Sequence, residues 1–336
     1  MATNGSPDHH RAVIGNPDTF WLYSSNTGFD LTHPPKPNSP PIKPSVTIST
    51  TTSPITIDPA KSALVIIDMQ NFFLSPALGK ARGPGHDALD QLVEHAIPSC
   101  RKAGIRVVWV NWGLTEQEVE EMPPAVKRAF GFEAVVEGEG WEDDEAVFVS
   151  RKGVFAVNKH GQPQNQGGDL VGGGAKGQKK LYKGIGSDMG TVKNFETGKE
   201  IHVGRMLMRD QWNTALCPPL DQIYTEGAKL TTRPDVWIHK NRMSGMWGAR
   251  TELDDFLEKE GLRTLFFAGV NTDQCVNGTY QDAFSKGYDC VLLSDGCGTT
   301  SPECAQQGVE YNAANTCGFL LSCKQLADGV AGIERA

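Results

Sequence analysis

The chain has 336 residues, a formal net charge of -8, 39% hydrophobic and 21% charged residues, and a mean hydropathy of -0.35. That balance excludes an integral membrane protein and wholesale disorder, and without a Lys/Arg stripe interleaved with aromatics it argues against nucleic acid or an anionic membrane as partner. A small molecule is the expected ligand. The start MATNGSPDHHRAVIGNP carries no apolar core of a secretory signal, and no apolar run nears the roughly 18 residues of a spanning helix, so a cytoplasmic location is expected.

Glycine and proline are unevenly spread: eight of the 20 Pro lie between Pro34 and Pro59, and ten of the 37 Gly between Gly161 and Gly190. Residues 1–58 therefore read as a Pro/Ser/Thr-rich extension, ordered in part. Ser62 to Asp68 is a continuous apolar run closing on an acid, the pattern of a strand buried on both faces. A helix is expected from Asp87 to Ala103, with Leu89, Leu92, Val93, Ala96 and Cys100 on one face and Gly104 as its stop. Next come a strand from Arg106 to Trp112 and a short helix from Glu116 to Arg128. From about 131 to 232 regularity fails, apart from a possible strand from Ala146 to Ser150, and this stretch reads as an insertion. Strands Asp235–Lys240, Thr264–Ala268, Cys290–Leu293 and Phe319–Ser322 then alternate with helices near Arg250–Glu260, Asp273–Lys286 and Pro302–Asn315. The alternation predicts a single α/β domain over 59–336 built on a mostly parallel, doubly wound sheet with helices on both faces.

Such sheets bind ligands beyond the carboxyl ends of their strands. Three reactive side chains share that address: Asp68 after the first strand, Lys240 closing another, and Cys275 in the turn after Thr264–Ala268. Cys275 falls in a first helical turn, with Thr272 or Asp273 as cap, where backbone N–H groups and a neighbouring Lys240 favour thiolate. Asp68 is the candidate general base that returns the proton to a leaving group. Taken singly, a cysteine at a strand–helix junction is usually packing, an aspartate there a cap and a lysine surface; their coincidence at three strand ends points to covalent acyl transfer. With no signal peptide and no Cys-x-x-Cys pair, the eight cysteines read as free thiols, and the other seven default to packing.

The segments Ala63-Leu-Val-Ile-Ile-Asp-Met-Gln-Asn-Phe-Phe73, His239-Lys-Asn-Arg-Met-Ser-Gly-Met-Trp247 and Ala268-Gly-Val-Asn-Thr-Asp-Gln-Cys-Val276 resemble, in order, three motifs of the isochorismatase-like cysteine hydrolases. Gln281–Asp289 and Leu293–Cys297 continue the likeness. The resemblance implies a Rossmann-like three-layer α/β/α fold, a homo-oligomer (dimer or tetramer), the triad Asp68, Lys240 and Cys275, and a non-proline cis peptide at Val270–Asn271. It further implies an oxyanion hole made by the Asn271 and Cys275 N–H groups. The thiol favours C–N hydrolysis over cleavage of a vinyl ether such as isochorismate. The Asp-x-His-x-x-His metal pattern of the nicotinamidase branch does not occur, so neither metal nor cofactor is expected. The likeness is then strongest to N-carbamoylsarcosine amidase and ureidoacrylate amidohydrolase, implying a small amide or ureide substrate and loss of ammonia.

Asn71 is expected to bind substrate or orient Asp68, with Phe73, Trp112, Met243, Trp247 and Tyr280 walling the cleft; ordinary core is the competing account of the aromatics. Trp212 is expected near the cleft without a definite place. The insertion, with Lys179, Lys180 and Lys183, reads as a lid or oligomer contact. Gly172–Lys179 lacks the Gly-Lys-Ser/Thr ending of a phosphate loop, Asn277-Gly-Thr279 matches a glycosylation acceptor by chance, and His9 and His10 read as solvent-exposed. The competing functions are a vinyl ether hydrolase and a non-catalytic binding or scaffold protein on the same fold.

Overall fold

Ser62–Ile67 (β1), Arg106–Trp112 (β2) and Thr264–Val270 (β4) are buried at every position, and runs of β-branched and aromatic residues with both faces covered are what a central parallel strand requires. The computed structural model describes residues 9–135, 155–164, 183–194 and 197–333. With Val236–Lys240 (β3), Asp289–Gly298 (β5) and Phe319–Leu321 (β6), these strands form a six-stranded sheet in the order β3-β2-β1-β4-β5-β6, parallel at every pairing. The order reverses between β1 and β4, so the crevice beyond their carboxyl ends is the natural ligand site of the doubly wound fold. The fold is a Rossmann-like three-layer α/β/α arrangement.

Alternation along each strand divides the core in two. Leu64, Ile66, Val107, Trp109, Phe266 and Ala268 face one layer; Ala63, Val65, Val108, Val110, Leu265 and Phe267 face the other. The first layer includes the helical run that opens at Pro84–Gln91, continues through the π-turn Leu92–Ala96 and ends at Ile97–Ala103. It starts earlier than the apolar periodicity suggests, because Pro84 at its first position is preset for helix. Gly104, at φ 81°, ends it, with Ile105 N–H bonded to Cys100 C=O. The opposite layer holds Glu252–Lys259, Asn277–Ser285 and Glu303–Asn312. Glu252–Lys259 is fixed at its start by Thr251 and Asp254 in a reciprocal cap, and truncating its buried Leu257 to Ala would cost about 2–5 kcal/mol.

Several expectations need adjustment. The Glu116–Arg128 helix is two, Glu116–Glu120 and Pro124–Ala129, divided at Pro123–Pro124. Leu220–Gly227 is a helix inside the stretch read as irregular. Residues 11–57 form a second, five-stranded sheet whose Leu31, Val46, Ile48, Ile55 and Ile57 lie in the same core as Leu326 and Val330. Within the insertion, two short hairpins, Phe132–Ala134 with Phe155–Val157 and Thr191–Lys193 with Glu200–His202, are described. The expected strand Ala146–Ser150, the Gly172–Lys179 stretch, Lys179 and Lys180 lie outside the described residues. Val192, Val203, Met206 and Leu207 pack around Trp112 and Phe72 as a third apolar cluster, so this part of the insertion roofs the carboxyl end of the sheet.

Candidate active site

Asp68 sits one residue past β1 with φ 54°, a left-handed conformation that Asp tolerates better than most residues. It is fully buried. One carboxylate oxygen accepts the Trp112 backbone N–H at 3.2 Å; the other stands 3.0 Å from Lys240 Nζ. Lys240, the last residue of β3, also donates to the Arg242 and Met243 carbonyls at 3.0 and 3.2 Å. Its ammonium lies 4.0 Å from the centroid of the Trp112 ring, over a π-face that favours a cation.

Cys275 completes the cluster from the turn after β4. Asp68, Lys240 and Trp112 all act on its titration, while the buried Trp112 indole N–H has no hydrogen-bond partner. Met243 Sδ covers the Cys275 sulfur at 3.5 Å. Cys275 is 4% exposed. Thr272–Val276 is a π-turn that runs into Asn277–Ser285; Thr279 Oγ1 donates to the Cys275 carbonyl at 2.8 Å and accepts the Gly245 N–H at 3.0 Å, tying the cysteine's turn to the loop after Lys240. The Val270–Asn271 peptide is cis.

Electrostatics weigh against one expectation. Burial pushes the Cys275 thiol up to about 12, against the opposing charge of Lys240, with Asp68 raising it further and Trp112 lowering it. Burial also holds the Asp68 carboxyl above its usual range, opposed first by the Lys240 charge and then by hydrogen bonds from Cys275, Lys240 and Trp112. The expected preference for thiolate rested on helix and lysine alone; desolvation outweighs both. The arrangement suits a thiol that loses its proton to Asp68 as it attacks.

Asn71 lies beside the cluster: its Nδ2 donates to the Trp212 carbonyl at 2.9 Å, while its buried Oδ1 has no hydrogen-bond partner. Trp212 thus meets the site through its backbone. Phe73 lines an adjoining cavity with Val270 and Asn271, Trp112 sits within the cluster, and Met243 caps the thiol. Two expected wall residues are elsewhere. Trp247 is 41% exposed, hydrogen-bonded to Asn241 and stacked under Arg242, because its loop turns outward after Met246. Tyr280 is buried against Phe267 with ring centroids 5.3 Å apart; one helical turn and more beyond Cys275, its side chain follows the helix down onto the sheet and away from the strand ends. All eight cysteines are free, and Cys304 is exposed rather than packed.

Sequence reasoning passed over Gln70. Its Nε2 joins the Trp112 and Thr214 carbonyls, both at 2.7 Å, and its Oε1 accepts the Trp112 N–H at 3.2 Å. It locks β2 to the roof and thereby fixes Trp112. Its signal was its place two residues after Asp68, where a long polar side chain has no solvent to reach. Among the described residues, no group of three or more His, Cys, Asp and Glu could hold a metal ion.

Residues 204–323 match the family model of the isochorismatase domain, a stretch that contains Lys240 and Cys275, and the resemblance read from the motifs holds. Similar solved structures include a cysteine hydrolase from Pseudomonas syringae pv. phaseolicola 1448A, at 15% identity over 87% of this chain and 99% of that one, TM-score 0.46. An isochorismatase family protein from Desulfovibrio vulgaris subsp. vulgaris str. Hildenborough aligns at 17% identity over 81% and 98%, TM-score 0.46. A nicotinamidase from Bacillus subtilis aligns at 17% identity over 78% and 99%, TM-score 0.46.

Proposed function

We propose that the chain is a hydrolase that cleaves a C–N bond of a small amide or ureide through a thioester on Cys275. The observation that carries this reading is the convergence of Asp68, Lys240 and Cys275, from three strand ends, into one buried, electrostatically linked cluster. As Cys275 Sγ bonds to the substrate carbonyl carbon, its proton passes to Asp68 and the carbonyl oxygen takes the electron pair. Asn271 and Cys275 N–H groups stabilise that oxyanion. The C–N bond then breaks, Asp68 returns the proton to the departing nitrogen, and ammonia leaves a thioester. Water adds to the thioester carbon as Asp68 takes its proton, the C–S bond breaks, and the thiol is regenerated. An amide yields a carboxylate; a ureide yields an N-substituted carbamate that decomposes to carbon dioxide and the substrate's own amine.

Lys240 keeps Asp68 ionised between transfers despite its burial, and Trp112 fixes the orientation of both. The unpartnered Asn71 Oδ1 suits an N–H of the substrate. A cytoplasmic homo-oligomer that works without metal or cofactor is part of the same reading, its assembly measurable by light scattering.

The test is a panel of amides and ureides assayed for ammonia, with Cys275→Ala alongside and intact-protein mass spectrometry for the acyl adduct. Ammonia release lost in Cys275→Ala supports the reading. Pyruvate from isochorismate with no ammonia from the panel would replace it with vinyl ether hydrolysis, and no turnover of any kind would favour a binding protein.

A further inference from the structure

Met243 stands apart from the other described methionines. Met69, Met122, Met189, Met206, Met208 and Met246 are all buried, whereas Met243 is 37% exposed. Its sulfur also meets the candidate nucleophile, with Sδ 3.5 Å from Cys275 Sγ on the side to which the thiol donates. Cys275 itself is 4% exposed, so an oxidant arriving from solvent encounters the thioether before the thiol. The loop that carries Met243 is tethered on both sides. Asn241 Nδ2 donates to Glu118 Oε1 at 2.8 Å, and Asn241 Oδ1 accepts the Trp247 indole N–H at 2.8 Å. The Met243 carbonyl accepts from Lys240 Nζ at 3.2 Å, and the Gly245 N–H is bonded to Thr279 Oγ1 at 3.0 Å. The side chain rests on the start of Asn277–Ser285, where a Cβ on Gly278 would lie 3.7 Å from Met243 Cγ. With its backbone fixed in this way, an oxygen added to Sδ lands beside Cys275 instead of leaving with the loop.

We propose that Met243 is a modification site, at which a hydroperoxide converts the thioether to a sulfoxide and thereby switches off Cys275. This rests on the reading that Cys275 is the nucleophile. In the step itself a lone pair of Sδ bonds to the terminal oxygen of the hydroperoxide and the O–O bond breaks. The proton of that oxygen passes to the departing oxygen, so sulfur is oxidised by two electrons and the hydroperoxide is reduced to an alcohol, or to water in the case of hydrogen peroxide. A thioether sulfur is a weak acceptor, and the sulfoxide that replaces it is polar. The new oxygen accepts the Cys275 S–H, holds the proton that must leave during attack, and fills space over the sulfur. Methionine sulfoxide reductases remove such an oxygen, which makes the change reversible.

The test treats the full chain with hydrogen peroxide in a Cys304→Ser background, which removes the exposed thiol. Peptide mass spectrometry locates the added oxygen, and iodoacetamide labelling of Cys275 and ammonia release are each compared with the same protein untreated. Met243 is expected to gain one oxygen ahead of the buried methionines, with labelling and ammonia release both falling about ten-fold, the weight of one hydrogen bond. Met243→Leu keeps its own starting rates through the same treatment, with circular dichroism as the check on its fold, and methionine sulfoxide reductases A and B together restore the Met243 protein. Four outcomes overturn the proposal: Met243 left unmodified, Met243 oxidised with labelling unchanged, an equal fractional loss in Met243→Leu, or rates that stay low once the oxygen has been removed. Labelling needs no substrate, so the switch and the hydrolase fail separately. Peroxide-controlled labelling with no ammonia from any amide or ureide keeps the switch and removes the hydrolase; ammonia released equally before and after Met243 is oxidised does the reverse.

Discussion

Lys240 Nζ stands 3.0 Å from Asp68 Oδ2, and both side chains are buried. A pair so placed is costly to break, because removing one partner leaves an uncompensated charge, typically by about 3–5 kcal/mol. Lys240→Met is therefore expected to lower stability by about that amount and to abolish turnover. The double variant Asp68→Asn, Lys240→Met should recover much of the stability and none of the activity. Urea unfolding of the four proteins measures the coupling; additive losses would show that the two charges do not depend on each other.

The acid limb of the rate profile should reflect Asp68. Its carboxyl lies above the usual value of 3.8, and it acts as base only when ionised, so kcat/KM rises with pH through a midpoint above the ordinary carboxylate range, shared with its coupled partners. For stability the sign is the opposite: a folded value above the unfolded one contributes stability at pH below the unfolded value, lost as pH rises through the folded value. A rate profile flat from below pH 4 upward would remove Asp68 as base.

Cys275 should react slowly with iodoacetamide near neutrality, faster as pH climbs from 9 toward about 12. Met243 is 37% exposed yet covers the sulfur, and Met243→Ala should raise the alkylation rate several-fold at every pH without moving its pH dependence. A plateau of fast labelling at pH 7 would mean a resting thiolate.

Trp112→Phe keeps a ring over Lys240 and deletes a buried indole N–H that has no hydrogen-bond partner. Because Trp112 lowers the thiol's value, the variant should alkylate more slowly and turn over about ten-fold less, on a loss near 1–1.5 kcal/mol. Unchanged alkylation would show that Trp112 does not act on the thiol in solution.

Tyr280→Phe removes a buried hydroxyl with no hydrogen-bond partner, so it should leave stability equal or slightly higher and kcat/KM unaltered. Calorimetry and the ammonia assay check both halves; a large loss of activity would return Tyr280 to the cleft.

The strand ends were legible because Asp68 and Lys240 break apolar runs at the point where a parallel sheet exposes its carboxyl edge, and periodicity needs nothing but the chain to be seen. Tyr280 was misplaced because spacing from Cys275 tells which helix carries a residue, not how deep its side chain descends. The thiol's environment was only partly legible: helix and lysine are local and visible, whereas desolvation is made by every element packed around the site. The strands within 11–57 are short and interrupted by Pro, Ser and Thr, and their apolar alternation makes sense only against the helix they cover.

That cover has a temporal consequence. Val46, Ile48, Ile55 and Ile57 share a core with Leu326 and Val330, and the helix Cys323–Ala331 approaches so closely that a Cβ on Gly329 would lie 2.8 Å from Ile48 Cγ1. During synthesis the early strands must wait, apolar side bare, until that late helix has left the ribosome. The apolar side of these strands therefore gains its cover only after the last helix of the described chain has been made.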